Sequence, residues 1–147
     1  MESYENKQLV GAILEGLSRG DARLFIETMH DDFRWTITGS TAWSKTYDGK
    51  AAVLRDLFGP LRMRLPGKIC TKAKRLLADG DIVVVEARGE NVTADGKRYN
   101  NEYCYIIRLD AGRLVELTEY LDTELVTAAL GEPPSPNAHA DHVREAG

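Results

Sequence analysis

The sequence predicts an α+β domain in which a curved antiparallel sheet packs against three N-terminal helices. Three observations carry this. Apolar residues recur at helical spacing over about the first sixty residues and, past Pro66-Gly67, with a period of two. The second part is cut by Asp79-Gly80-Asp81, Asp95-Gly96 and Asp110-Ala111-Gly112, each of which suits a short hairpin turn. A chain of 147 residues is one ordinary domain, long enough to bury a core without disulfides or a metal. Helices followed by strands in separate blocks give the α+β layout.

Leu9, Val10, Ile13, Leu14 and Leu17 form one helical stripe, which Gly20 ends in a left-handed conformation. Asp21 caps a second helix that buries Leu24, Phe25 and Met29. Phe33 to Thr38 reads as extended, and 39–45 as a loop carrying Trp43. Asp48 caps a third helix with Val53, Leu54, Leu57 and Phe58 inward, interrupted at Gly59-Pro60 because proline cannot continue a helix interior. Four strands follow, over Ile69–Leu77, Ile82–Thr93, Tyr99–Leu109 and Leu114–Asp122. The domain is expected over residues 1–127. A disordered tail is expected over 128–147, where Pro133-Pro134-Ser135-Pro136 opens a stretch without apolar periodicity. His139 and His142 read as solvated tail residues.

With 19 Lys+Arg against 23 Asp+Glu the net charge is −4, which argues against a nucleic-acid partner. The densest basic cluster, Lys72, Lys74 and Arg75, reads as a solvated strand face. No stretch reaches the roughly 18 apolar residues of a membrane span, and the acidic N-terminus has no signal-like core, so a cytoplasmic protein is expected. Cys70 and Cys104 have no metal or redox spacing and read as small buried hydrophobes. No metal and no cofactor are expected.

Strand parity points to the chemistry, because residues two apart share a face. Asn101, Tyr103, Tyr105, Ile107 and Leu109 form the more apolar face of the third long strand and should point at the helices. In the last strand Val115, Leu117, Glu119 and Leu121 share the inward face, so Glu119 is a carboxylate between leucines. Such a group needs a partner or a raised pKa, which marks a functional candidate. The second long strand is open. Alternation slightly favours Val83, Val85, Ala87, Gly89 and Asn91 as its core face. The alternative turns Arg88 and Glu90 inward beside Glu119, an arginine between two carboxylates that would split their pKa values into a general acid and a general base. Gly89 would let the sheet bend into a cone, with Trp35, Trp43, Tyr103, Tyr105 and Leu121 lining a pocket.

Six stretches stand out together: Arg19-Gly20-Asp21, His30-Asp31-Asp32-Phe33-Arg34-Trp35, Tyr47-Asp48-Gly49-Lys50, Tyr99-Asn100-Asn101-Glu102-Tyr103-Cys104, Gly112-Arg113-Leu114-Val115-Glu116 and Glu119-Tyr120-Leu121-Asp122-Thr123. With them the chain, from about Asn6 to Leu125, resembles the nuclear-transport-factor-2-like cone fold, in its SnoaL-like and ketosteroid-isomerase-like branch. Ketosteroid isomerases carry a catalytic aspartate where this chain has Ile37 or Thr36. Limonene-epoxide hydrolases carry Arg-x-Asp on one strand and a further aspartate on the last. Arg88-Gly89-Glu90 and Glu119 are similar, with Glu for Asp, while Trp35 and Ile37 stand where that family has its water-holding tyrosine and asparagine.

That resemblance implies Glu119 as base, Glu90 as acid and Arg88 as the bridge between them, all facing inward. The SnoaL-type cyclases imply a lighter mechanism in which Glu119 alone suffices. A homodimer is expected, since an exposed apolar sheet face needs covering, and so is a small hydrophobic molecule bound with Trp35, Trp43, Asn101, Tyr103, Tyr105, Leu117 and Leu121 as ligand contacts. Cofactor-free isomerase, cyclase or epoxide-hydrolase-like acid/base chemistry would follow, without nucleic acid or membrane. The alternative is a non-catalytic binding module or dimeric assembly module, with Arg88, Glu90 and Glu119 as a structural ion network.

Overall fold

The computed structural model describes residues 2–135. Helix α1 (Ser3–Ser18) buries Val10, Ile13 and Leu14, with Leu9 and Leu17 packed against the core beside them. Gly20, at φ +75°, ends it as expected. Helix α2 (Arg23–Thr28) is a single short piece that starts where Asp21 Oδ1 accepts the Arg23 N–H at 3.1 Å. The chain then turns straight into strand β1 (Met29–Ile37), so Met29 is buried in a strand and not on a helix face.

A short strand β2 (Thr46–Asp48) pairs antiparallel with β1 and takes Asp48 out of its expected capping role, setting it beside Arg34 at 3.6 Å. The third helical region spans 50–64 in three parts: α3 (Lys50–Ala52), π-helical turns over Val53–Phe58, and α4 (Gly59–Arg64). Gly59-Pro60 marks a joint and does not end the helix. The widened turns close with the Gly59 N–H on the Leu54 carbonyl, and Pro60 falls in the first turn of α4, where a missing N–H costs little.

The remaining strands are β3 (Thr71–Asp79), β4 (Ile82–Gly89), β5 (Glu102–Asp110) and β6 (Arg113–Leu121). The six-stranded sheet has the order β2-β1-β6-β5-β4-β3 and is antiparallel except for the parallel β1–β6 pair. Asp122 Oδ1 accepts the Leu125 N–H at 3.2 Å and starts α5 (Thr123–Leu125), which continues as π-helical turns over Val126–Leu130. Val126 and Leu130 are buried, so core packing runs past the expected boundary at 127. Of the tail expected over 128–147, residues 136–147, with His139 and His142, lie outside the described residues.

The parity of β4 is the main correction to the expected site. Val83, Val85, Ala87 and Gly89 face the core, and Arg88 and Glu90 face out. The outer face gives both charges partners at no cost in burial: Arg88 lies 3.7 Å from Glu102 on β5, and Lys72 on β3 lies 3.4 Å from Glu90. Turned inward, the same pair would have to be stripped of water. Gly89 does make room, though for a side chain: a Cβ there would sit 3.3 Å from Tyr103 Cε2. Parity shifts within β6 as well, where an irregularity opposite Arg108 and Leu109 turns Leu114 fully inward and leaves Val115 half-buried.

Candidate functional site

The concave face of the sheet and the helices enclose a cavity of about 570 Å³. Its walls come from every layer. Ile13, Leu14 and Leu17 project from α1, Leu57, Phe58 and Leu61 from the third helical region, and Val126 and Leu130 from the C-terminal turns. The sheet contributes Trp35, Ile37, Tyr103, Tyr105, Ile107, Leu117, Glu119 and Leu121. The volume lies within the usual 300–1,000 Å³ range of small-molecule sites.

Aromatic rings make most of one wall. Trp35 meets Phe25 and Phe58 with centroids 5.7 Å away in each case, and Tyr105 edge-on at 6.5 Å. Tyr103 and Tyr105, two apart on β5, stack at 5.2 Å and 14°. Offset and edge-on rings add to the stability that burial already confers. Trp43 is buried and donates its indole N–H to the Gly131 carbonyl at 2.8 Å, which ties the 39–45 loop to the end of the C-terminal turns. The Tyr47 hydroxyl donates to the Trp43 carbonyl at 2.9 Å.

Glu119 sits mid-sheet, opposite Tyr105 on β5 and Ile37 on β1, and only 6% of its surface is exposed. Loss of water pushes its carboxyl pKa from the ordinary 4.5 up to about 8. The indole N–H of Trp35 draws it partly back down, although Trp35 Nε1 makes no hydrogen bond of regular geometry. No cation is among the groups that set this pKa. Glu119 is therefore mostly a neutral carboxylic acid at pH 7, able to donate a hydrogen bond, and a carboxylate above pH 8. Burial holds the Tyr103 and Tyr105 hydroxyls well above their ordinary pKa and that of Tyr99 at about 12, so all three stay protonated.

Six of the expected ligand contacts, Trp35, Trp43, Tyr103, Tyr105, Leu117 and Leu121, line the cavity together with Glu119. Asn101 does not line it. Its amide is used up behind the wall, donating Nδ2 to the Tyr99 hydroxyl at 3.1 Å and to the Asp122 carbonyl at 3.1 Å, and accepting the Asp122 N–H at 3.0 Å. Asn101 thus fixes Tyr99 and the end of β6. Arg88 and Glu90, on the far side of the sheet, reach neither the cavity nor Glu119. Replacing both with alanine should change stability by less than about 0.5 kcal/mol per site in urea unfolding and leave binding to the cavity unaltered, as expected of exposed pairs.

Tyr99, Phe25, Phe58 and the α1 residues were missed as lining. For Tyr99 the signal existed, since it continues the parity of Asn101, Tyr103 and Tyr105 by one step. Among the described residues no three His, Cys, Asp or Glu side chains gather in a way that could hold a metal ion. No helix of the described residues is long and apolar enough to cross a membrane.

A cone of sheet and helices around an apolar cavity with one buried acid defines the class of protein. The sequence pattern of the SnoaL-like domain matches residues 10–117, and the chain belongs to that family. Solved structures agree on the fold. A candidate SnoaL-like polyketide cyclase from Jannaschia sp. CCS1 is 19% identical, with a TM-score of 0.71 over 90% of this chain and 95% of that one. A nuclear-transport-factor-2-like protein from Burkholderia thailandensis E264 is 23% identical, with a TM-score of 0.74 over 85% and 96%. TerC, co-crystallised with polyporic acid, is 19% identical, with a TM-score of 0.72 over 85% and 97%. No curated protein matches the sequence.

Proposed function

We propose that the chain binds a small, mainly apolar molecule in the cavity and that Glu119 moves a proton on it without a cofactor. One observation carries the reading: a carboxyl buried in an apolar, aromatic-walled cavity, with a pKa pushed up to about 8 and no cation to hold it ionised. A general acid or base works best with a pKa near the working pH, and burial supplies that here. Ionised, Glu119 can take a proton from carbon next to a carbonyl; the acid so formed can return it to another carbon. The protonated phenols of Tyr103 and Tyr105, lining the same space, can donate to the oxygen on which charge develops. The TerC complex supports this only by likeness of fold, since there polyporic acid was crystallised with a protein of the same architecture.

The test is proton exchange, which needs no knowledge of the net reaction. The enolisable fused-ring ketone 2-tetralone in D2O should raise the melting temperature and gain deuterium next to its carbonyl, followed by NMR. The catalysed rate should climb with pH and level off above about 8, as the carboxylate forms. Glu119→Gln should keep the melting shift and lose the catalysed exchange. A melting shift with identical exchange in both proteins would leave a non-catalytic binder. No shift with 2-tetralone, steroids, aromatic polyketides or fatty acids would remove the binding role as well.

A further inference from the structure

Two of the residues lining the cavity are cations. Arg62 and Lys68 are both exposed, so they stand at its open end. Glu119 is the one carboxylic acid among the lining residues. Neither cation has a side-chain partner among the described residues. Other arginines on the helical side of the molecule do: Arg19 lies 2.8 Å from Glu15, Arg23 2.8 Å from Asp21, and Arg55 2.8 Å from Asp56. A carboxylate lies beside each of those guanidinium groups and, among the described residues, none beside the two cations at the mouth.

The position of Lys68 is built into the fold. Its stem lies against Gly20, where a Cβ would come within 2.8 Å of Lys68 Cβ and 3.2 Å of its Cγ and Cδ. Two residues on, the buried Asn91 grips the backbone of Cys70, accepting its N–H through Oδ1 at 2.8 Å and donating Nδ2 to its carbonyl at 3.3 Å. The Glu90 N–H reaches the same carbonyl at 3.1 Å. Part of the entropy of ordering a long charged side chain is therefore already lost in the free protein.

We infer that the ligand is an apolar molecule carrying one anionic group, a carboxylate or similar oxyanion, which Arg62 and Lys68 hold at the mouth while the apolar body fills the cavity. This rests on the reading of the cavity as the binding site. The guanidinium offers a planar fork that matches an oxyanion, and the ammonium adds a point charge. Apolar walls on one side lower the local dielectric and strengthen both attractions over those of a fully wetted pair. Glu119, mostly uncharged below about pH 8, puts no opposing charge at the inner end.

The experiment compares 1-pyrenebutyric acid with its methyl ester, a pair with the same apolar body, by fluorescence titration at pH 7. The acid should bind about tenfold more tightly. The ratio should fall toward one in 0.5 M salt and in the Arg62→Gln/Lys68→Gln variant, and should invert in Arg62→Gln/Lys68→Glu. Both substitutions are at exposed positions, and the salt series needs no variant at all. Equal affinity for acid and ester in the unaltered protein overturns the inference and leaves the cavity as a binding site. A preference that survives the double substitution also overturns it. Failure of both probes to bind would remove the cavity reading itself.

Discussion

The protein should lose stability steadily as the pH rises from about 5 to about 9, and the Glu119→Gln variant should not. In the unfolded chain the Glu119 carboxyl ionises near its ordinary 4.5; in the folded protein burial holds it protonated to about 8. Below pH 4.5 both states carry the proton and the group is neutral toward stability. Between 4.5 and 8 the unfolded state releases the proton while the folded state keeps it, so unfolding becomes easier with every step in pH. Above 8 both are ionised and the loss is complete. The span from 4.5 to about 8 corresponds to about 5 kcal/mol. Folded domains have only about 5–15 kcal/mol in hand. The other carboxyls displaced from their ordinary values, Asp21, Asp56, Asp95 and Glu116, are all displaced downward, so they act below this window. The shifted tyrosines act above it. Urea unfolding at pH 5, 7 and 9 reads the effect directly. Parallel pH profiles for the two proteins would mean that Glu119 ionises in the fold at about its ordinary pKa, and the proton-transfer proposal would go with it.

Glu119 could be found in the sequence because β5 and the 117–121 half of β6 alternate cleanly. Leu117 and Leu121 flank it on one parity, and Tyr103, Tyr105 and Ile107 have no charged competitor on theirs. The strand β4 offered no such contrast. Ile82 and Val84 make its outer face as apolar at one end as Val83 and Val85 make the inner face, so the side of Arg88 and Glu90 rested on a resemblance in pattern. What decides it is non-local: Lys72 and Glu102, on the two strands flanking β4, stand on the outer face and pair with Glu90 and Arg88 there. The irregularity that turns Leu114 inward depends likewise on how β5 and β6 are paired. The π-helical turns over Val53–Phe58 were illegible for a related reason. Their widened hydrogen bonds absorb a proline that a regular helix would not tolerate. Parity turns Asn101 inward but cannot show that its amide is spent on Tyr99 and Asp122, because parity gives a side and not a partner.

Trp35→Ala should destabilise the protein by about 3–5 kcal/mol, the usual range for truncating a buried aromatic side chain. Trp35 is buried among Phe25, Phe33, Phe58 and Tyr105, its ring centre 5.7–6.5 Å from theirs, and it joins the third helical region to the sheet. The same residue carries the donor that tempers Glu119, and a second substitution separates the two roles. Trp35→Phe keeps most of the apolar contact, so its cost should fall to about 1–2 kcal/mol. It removes the indole N–H that stabilises the ionised carboxyl, so the Glu119 pKa should rise above that of the unaltered protein. The sign carries through to stability: the loss with pH should extend to higher pH in Trp35→Phe. Urea unfolding measures the first effect, and carbon NMR of the Glu119 carboxyl across pH 6–10 measures the second. If Trp35→Phe lowered the Glu119 pKa, the indole would be acting as a wall that excludes water and not as a donor. Trp35 would then hold the raised pKa in place instead of limiting it.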